Sequence, residues 1–450
     1  MCLVGCNDGT NTEPPTSDNQ SQGAADSSPE SEVSLEGKLL FTNDQGKAAY
    51  TVIYPHYSSD IIEEVSKDLC TKLTVATGAT FTSYTDRSEK TKNSNEILIG
   101  ATNRDASAGV EMLGEREYVV KVDGNKIVVM GGSDYATLMG LNEFLASFTG
   151  DAPYIDEDLS ITGKADKDQY LVAVTNRSGK SIDIYDLLPM SVTGATKIKS
   201  LPIDTAAAGL NIRKHKTWGD VVIYCGSKYA EIMSYEDGTQ LWSTSSAADN
   251  AHGIELLPND VLAVASSSGN EVRFFDIGDA TGHTYVKVTL EDAHGVLWDP
   301  QNEVVWALGR TKLTAYKVSN VNNIVTVSED TGRSINLPSE YGHDIAPYYG
   351  DTDKLWVTTS SGVYIYKKSA KAFTEHIEGD NGTVVRKDVK GIGNFEDGSI
   401  LTLHPDGALY EWTTQTINLY FKYGSKLYHG TYTTVGTHYY KCRVVRTDYQ

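Results

Sequence analysis

Three histidines recur in one local setting: Ala251-His252-Gly253-Ile254, Ala293-His294-Gly295-Val296 and Gly342-His343-Asp344-Ile345. Neutral imidazoles brought together can hold a divalent cation, move a proton or line a polar pocket. Asp344 follows His343 directly, where it can orient that ring or add an oxygen ligand. Lys390, in Lys390-Gly391-Ile392-Gly393, stands where a fourth copy would carry its histidine, and Lys214 or His215 is the nearest equivalent upstream. A lysine in that place repels a cation but suits an acidic sugar. Two chemistries therefore compete: a ligand pocket of His252, His294, His343, Asp344 and Lys390, or one divalent metal ion on His252, His294 and His343. The plainer alternative is structural, each imidazole bonding strand ends to a neighbouring unit. Glycine or aspartate after each histidine then fits a tight turn into the strand.

No other motif offers stronger chemistry. There is no Gly-x-Ser-x-Gly elbow, no Walker or dinucleotide fingerprint and no Cys-x-x-Cys pair. Carboxylates are too many for a glycosidase pair to be picked by spacing. Gly131-Gly132-Ser133 before a helix can cradle an anion, but a tight strand-to-helix turn explains it more simply. His404-Pro405-Asp406-Gly407 is expected to be a turn. Trp298, Trp306, Trp356 and Trp412 recur at strand positions and are expected to form core between sheets.

The elements that must carry the histidines follow from their spacing, 42 and 49 residues. Short strands at such a period indicate propeller blades. In one unit Gly253–Leu257 is a first strand, Pro258-Asn259-Asp260 a turn, Val261–Ala265 an apolar second strand, Glu271–Ile277 a third and Tyr285–Thr289 an alternating outer fourth. Further copies have Glu303–Leu308 with Lys312–Tyr316, Leu355–Thr359 with Val363–Tyr366, and Ser399–Leu403 with Ala408–Trp412. Weaker copies upstream use Tyr170–Val174 with Ser181–Tyr185, and Val221–Cys225 with Ala230–Tyr235. The expectation is an all-β propeller of about six blades over 166–450, closed by a strand within Tyr439–Val445. The His-Gly-Ile…Pro-Asn-Asp…Val-Leu-Ala-Val-Ala-Ser pattern resembles NHL-type and virginiamycin-lyase-like propellers. The stretch His252–Tyr366 resembles, more closely, a family of uncharacterised bacterial propeller proteins, which supplies no activity. Some six-bladed lyases are similar in bringing histidines from separate blades to zinc or manganese.

Residues 37–165 have a different texture, alternating strand and helix, and are expected to form a small α/β domain. Tyr50–Tyr54 and Glu96–Gly100 read as strands, and Tyr118–Val122 with Lys126–Met130 as a hairpin over Asp123-Gly124-Asn125. Ile61, Ile62, Val65, Leu69 and Leu73 mark an amphipathic helix from Ser59 to Thr77, capped by Ser59 or Asp60, and Ser133 caps a second helix to Phe148. The segments Glu96–Gly100, Asn103-Arg104, Tyr118–Met130 and Gly131–Thr137 look like the accessory α/β domain of β-hexosaminidases and α-glucuronidases. That resemblance implies a carbohydrate context and no catalytic residue.

The charge balance, 39 basic against 60 acidic residues for a net −21, argues against nucleic acid and against direct docking on anionic lipid. Five cysteines without paired spacing make no disulfide framework, and Cys70, Cys225 and Cys442 are expected to be buried thiols. Leu3-Val4-Gly5-Cys6 resembles a bacterial lipobox, in which Cys6 carries the lipid. The charged and apolar parts of a full signal peptide do not precede Leu3. Residues 1–36 are then lipobox and polar tether, too rich in Ser, Asp, Glu, Pro, Gly and Asn to build a core.

The sum of these readings is a lipid-anchored protein, monomeric, on the extracellular face of a bacterial membrane. Its expected role is non-catalytic binding or scaffolding toward a glycan or another envelope component, without a cofactor. The alternatives are a metal-dependent lyase or hydrolase at the central channel, and a purely structural interaction module.

Overall fold

A computed structural model describes residues 35–148, 153–191, 194–376, 387–407 and 410–450. Cys6 and the polar stretch to Ser34 lie outside them.

The N-terminal α/β region holds a six-stranded sheet in the order Ser83–Thr85, Thr51–Tyr54, Glu96–Ile99, Lys126–Gly131, Glu117–Asp123, Ser160–Lys164. The first four strands are parallel and the hairpin partner runs antiparallel. Parallel strands need covered faces, and two helices supply cover. Asp60–Thr77 buries the expected stripe of Ile61, Ile62, Val65, Leu69 and Leu73. Ser133 caps Asp134–Ala146, its hydroxyl accepting from the Ala136 N–H at 3.1 Å. Gly132 passes too close to the Gly114 carbonyl for any Cβ, so Gly131-Gly132-Ser133 forms a tight strand-to-helix turn.

A six-bladed β-propeller follows. Each blade is an antiparallel sheet of four strands, with an extra short strand, Ile335–Asn336, in the fourth. The inner strands of blades II to VI are Gly209–His215, Ala251–Leu257, Gly295–Asp299, Gly342–Pro347 and Gly391–Asn394. Blade I takes its inner strand from the far end of the chain: Tyr439–Val444 pairs antiparallel with Leu171–Asn176. Second strands such as Val261–Ser266 are buried on both faces, which accounts for their unbroken apolar runs. Trp306 and Trp356 are 1 % exposed and fill the space between blades, whereas Trp412 is 40 % exposed.

One strand differs from expectation. Tyr410–Trp412 lies in a loop, and the third strand of blade VI is Thr416–Tyr423; Ala408 and Leu409 lie outside the described residues. Both segments alternate apolar with polar residues. The longer one pairs with Ile400–Leu403 and Lys426–Thr433, leaving the aromatic pair free.

The α/β region packs on blades I and VI through a shared apolar core. Tyr135 meets Phe421 edge-on at 5.5 Å and Tyr170 at 6.0 Å. At the rim Tyr423 donates to Asp68 at 2.8 Å and Arg116 pairs with Asp186 at 2.9 Å. The buried aromatics contribute most here, at about 1.5–3 kcal/mol per buried large side chain.

Candidate functional site

At the mouth where the inner strands begin, the three repeat histidines stand side by side. Their ring centroids are 4.7 Å apart for His252 and His294, and 5.6 Å apart for His294 and His343. Lys390 brings its ammonium to 2.8 Å from His343 Nε2. Lys214 and His215 lie at the opposite end of their strand, where His215 pairs with Asp260 at 3.2 Å; Ala208 precedes Gly209 at the mouth of blade II.

The glycines after the histidines have a different cause from the one expected. None of Gly209, Gly253, Gly295 or Gly391 has a positive φ. Inner strands of adjacent blades approach so closely that side chains do not fit: a Cβ on Gly253 would sit 2.6 Å from Gly295 Cα, and one on Gly391 2.7 Å from Cys442 N. The repeat is thus a packing device around the axis, and the residue just before each glycine is left to face the opening.

Hydrogen bonds set the neutral tautomer open to each ring. His252 Nδ1 is 2.8 Å from the Asn250 carbonyl and His294 Nδ1 is 3.0 Å from the Asp292 carbonyl. A carbonyl only accepts, so Nδ1 carries the hydrogen and Nε2 is the acceptor. His343 has the opposite tautomer: Nε2 accepts from Lys390, and the buried Nδ1 has no partner. Burial, with His294 adding to it, pushes His252 down to about 3. Burial and the Lys390 charge push His343 down to about 2. Burial also lowers Lys390, against the opposing pull of Asp388 at 3.6 Å.

Asp344 occupies the glycine position of its blade and forms the floor rather than a partner of the His343 ring. Its carboxylate takes both Arg443 nitrogens at 2.7 and 2.8 Å, Lys441 at 3.1 Å and the Ile392 N–H at 3.0 Å. Burial opposes its ionisation, yet Arg443 and Lys441 hold it below the usual carboxylate range. Burial draws Lys441 down to about 8. Deeper still, Arg443 reaches Asn211 at 2.8 Å, and Arg213 pairs with Glu255 through two bonds of 2.7 Å. The axis is therefore filled with ion pairs below the imidazoles. At the far end Tyr449 donates to the Leu256 carbonyl at 2.7 Å.

Four residues that the repeat pattern did not reveal complete the mouth. Tyr440, on the closing strand, lies 5.5 Å from His252. Trp412 is 5.6 Å from Tyr440 and lies parallel to Tyr410, with centroids 5.5 Å apart and planes 7° apart. The Arg177 guanidinium sits 4.9 Å from the centre of the Trp412 ring and donates to the carbonyls of Ala206 and Ala207. An arc of rings thus runs from Tyr410 through Trp412, Tyr440 and the three histidines to Lys390. The aromatic residues Tyr410 and Trp412 are exposed, a combination that favours flat ligands with an apolar face. Among the described residues, no three His, Cys, Asp or Glu side chains form a group able to hold a metal ion.

The molecule is thus a six-bladed propeller with a row of rings above buried ion pairs at one mouth and a small α/β region on its flank. Residues 226–445 match a family of unknown function, DUF6528, so over this stretch the chain is similar to an uncharacterised family. No curated protein matches it. Among solved structures, a functionally unknown protein from Desulfotomaculum acetoxidans DSM 771 is 9 % identical, with 59 % of this chain and 80 % of that one covered and a TM-score of 0.38. A chain of a nidogen/laminin complex is 12 % identical, with coverages of 61 % and 97 % and a TM-score of 0.43.

Proposed function

We propose that this protein is a surface-anchored, non-catalytic binding module whose ligand is a glycan held at the propeller mouth. The observation that carries the reading is the exposed parallel pair Tyr410 and Trp412, set beside a row of three imidazoles above buried ion pairs. Aromatic faces take the apolar side of a sugar ring, and the Nε2 atoms of His252 and His294 accept from its hydroxyls. Cys6 would carry the lipid, with the polar residues after it as the tether. The test is binding of the full chain to an array of neutral and acidic glycans beside Trp412→Ala. Retention of particular glycans by the wild type and their loss in the variant is expected; an array with no bound glycan refutes the reading.

The closeness of the three imidazoles favours a second reading, a metal-dependent lyase or hydrolase at the same mouth. The donor set fits it poorly, because the Lys390 ammonium already engages His343 Nε2 and would have to leave or lose its proton first. Divalent metal in stoichiometric amount in the purified chain, lost in a His252→Ala, His294→Ala, His343→Ala variant, would favour this second reading over the first.

A further inference from the structure

The charges around the mouth are not balanced locally. Asp344 is held between Lys441 and Arg443. Asp292 lies 3.2 Å from His294 Nδ1, and Asp388 lies 3.6 Å from Lys390. Arg177 has no carboxylate partner among the described residues, although the whole chain carries a net charge of −21. Its Nη1 donates to two backbone carbonyls, at 3.1 and 3.0 Å. The Nε and Nη2 edge has no acceptor among the described residues. That edge of a guanidinium takes a carboxylate through two parallel hydrogen bonds. Burial works against the charge that Arg177 carries, so an arriving anion would relieve a cost already present in the free protein.

Resting on the glycan reading above, we infer that the ligand is an acidic saccharide, with its carboxylate forked by Arg177 and its ring against Tyr410 and Trp412. The guanidinium and the exposed aromatic surface are parts of one contact, since Arg177 lies against the Trp412 ring itself. A uronate presents the same pair of features, a carboxylate attached directly to a ring with an apolar face. The remaining groups suit its hydroxyls: Nδ1 of His252 and of His294 is engaged by a backbone carbonyl, which leaves Nε2 of each as an acceptor. Lys390 adds a second positive charge across the opening, offset in part by Asp388.

The experiment is calorimetric titration of the full chain with an oligouronate, its carboxyl-reduced neutral counterpart and a sulfated oligosaccharide. The oligouronate is expected to bind at least about tenfold more tightly than the reduced form, with affinity falling as salt rises. Arg177→Met should weaken the oligouronate by about tenfold to about a hundredfold and the reduced form by clearly less. Trp412→Ala should weaken both. If Arg177→Met does not fold, Lys390→Met supplies the charge test, with a smaller loss confined to the acidic ligand. Equal affinity for the oligouronate and its reduced form overturns the acidic assignment and leaves the glycan reading standing. Tighter binding of the sulfated ligand overturns the carboxylate fork, and binding of none of the three overturns both readings.

Discussion

Acidification from pH 7 to pH 5 should destabilise the propeller through His252 and His343. In the unfolded chain both titrate near the ordinary value of about 6.5. In the fold burial keeps them neutral, to about 3 for His252 and to about 2 for His343. Between these limits the unfolded state binds protons that the folded state refuses. Stability therefore rises with pH through this window, and is lost as pH falls below about 6.5 toward 3. With no protonation of the fold, each imidazole removes about 2 kcal/mol between pH 7 and pH 5, and the two together about 4 kcal/mol. His294, Lys390, Lys441, Arg177, Tyr440 and Asp388 face the pair and remain in place in a His252→Gln, His343→Gln variant. Urea unfolding followed by tryptophan fluorescence, at both pH values, isolates the effect. The wild type should lose about 4 kcal/mol more than the double variant on acidification, because carboxylate effects are common to both. Equal losses would refute the claim that the fold holds these rings neutral.

Gly253→Ala should cost about 1–3 kcal/mol in urea unfolding, because the added methyl would sit 2.6 Å from Gly295 Cα between two inner strands. Arg443→Leu should cost about 3 kcal/mol, since it leaves the buried Asp344 with Lys441 alone, and adding Asp344→Asn should recover part of that loss in the same assay.

The fold was largely legible because each blade repeats the same local solution. Alternation and apolar runs marked most strands, and the His-Gly repeats marked where inner strands begin. The role of the glycines was not legible: their constraint comes from the neighbouring blade, about forty residues away, while a turn is the usual local reason for glycine. Ala408–Trp412 looked like a strand because its alternation resembles that of Thr416–Tyr423, and only pairing partners separate the two. The histidines and Lys390 could be grouped from sequence since they share one repeat position. Arg177 and Tyr440 could not, because they come from a turn of blade I and from the closing strand, and no repeat links them. The exposed pair Tyr410 and Trp412 left a faint signal, two aromatic residues on alternate positions just before a Thr-rich run. The fate of Asp344 needed Lys441 and Arg443, whose places near the axis follow only from ring closure.

That closure has a consequence for how the molecule comes into being. Lys441 N bonds to Thr175 Oγ1 across 266 residues, so blade I waits for a strand made long after its other three. Until that strand docks, Tyr440 is missing from the lining and Asp344 has neither counter-ion. Five blades can fold during synthesis, but the ring they form is open on one side and lacks Lys441 and Arg443 at its axis. The proposed site should therefore be completed in a single late event, and a nascent chain stalled before residue 439 would be mostly folded yet without it.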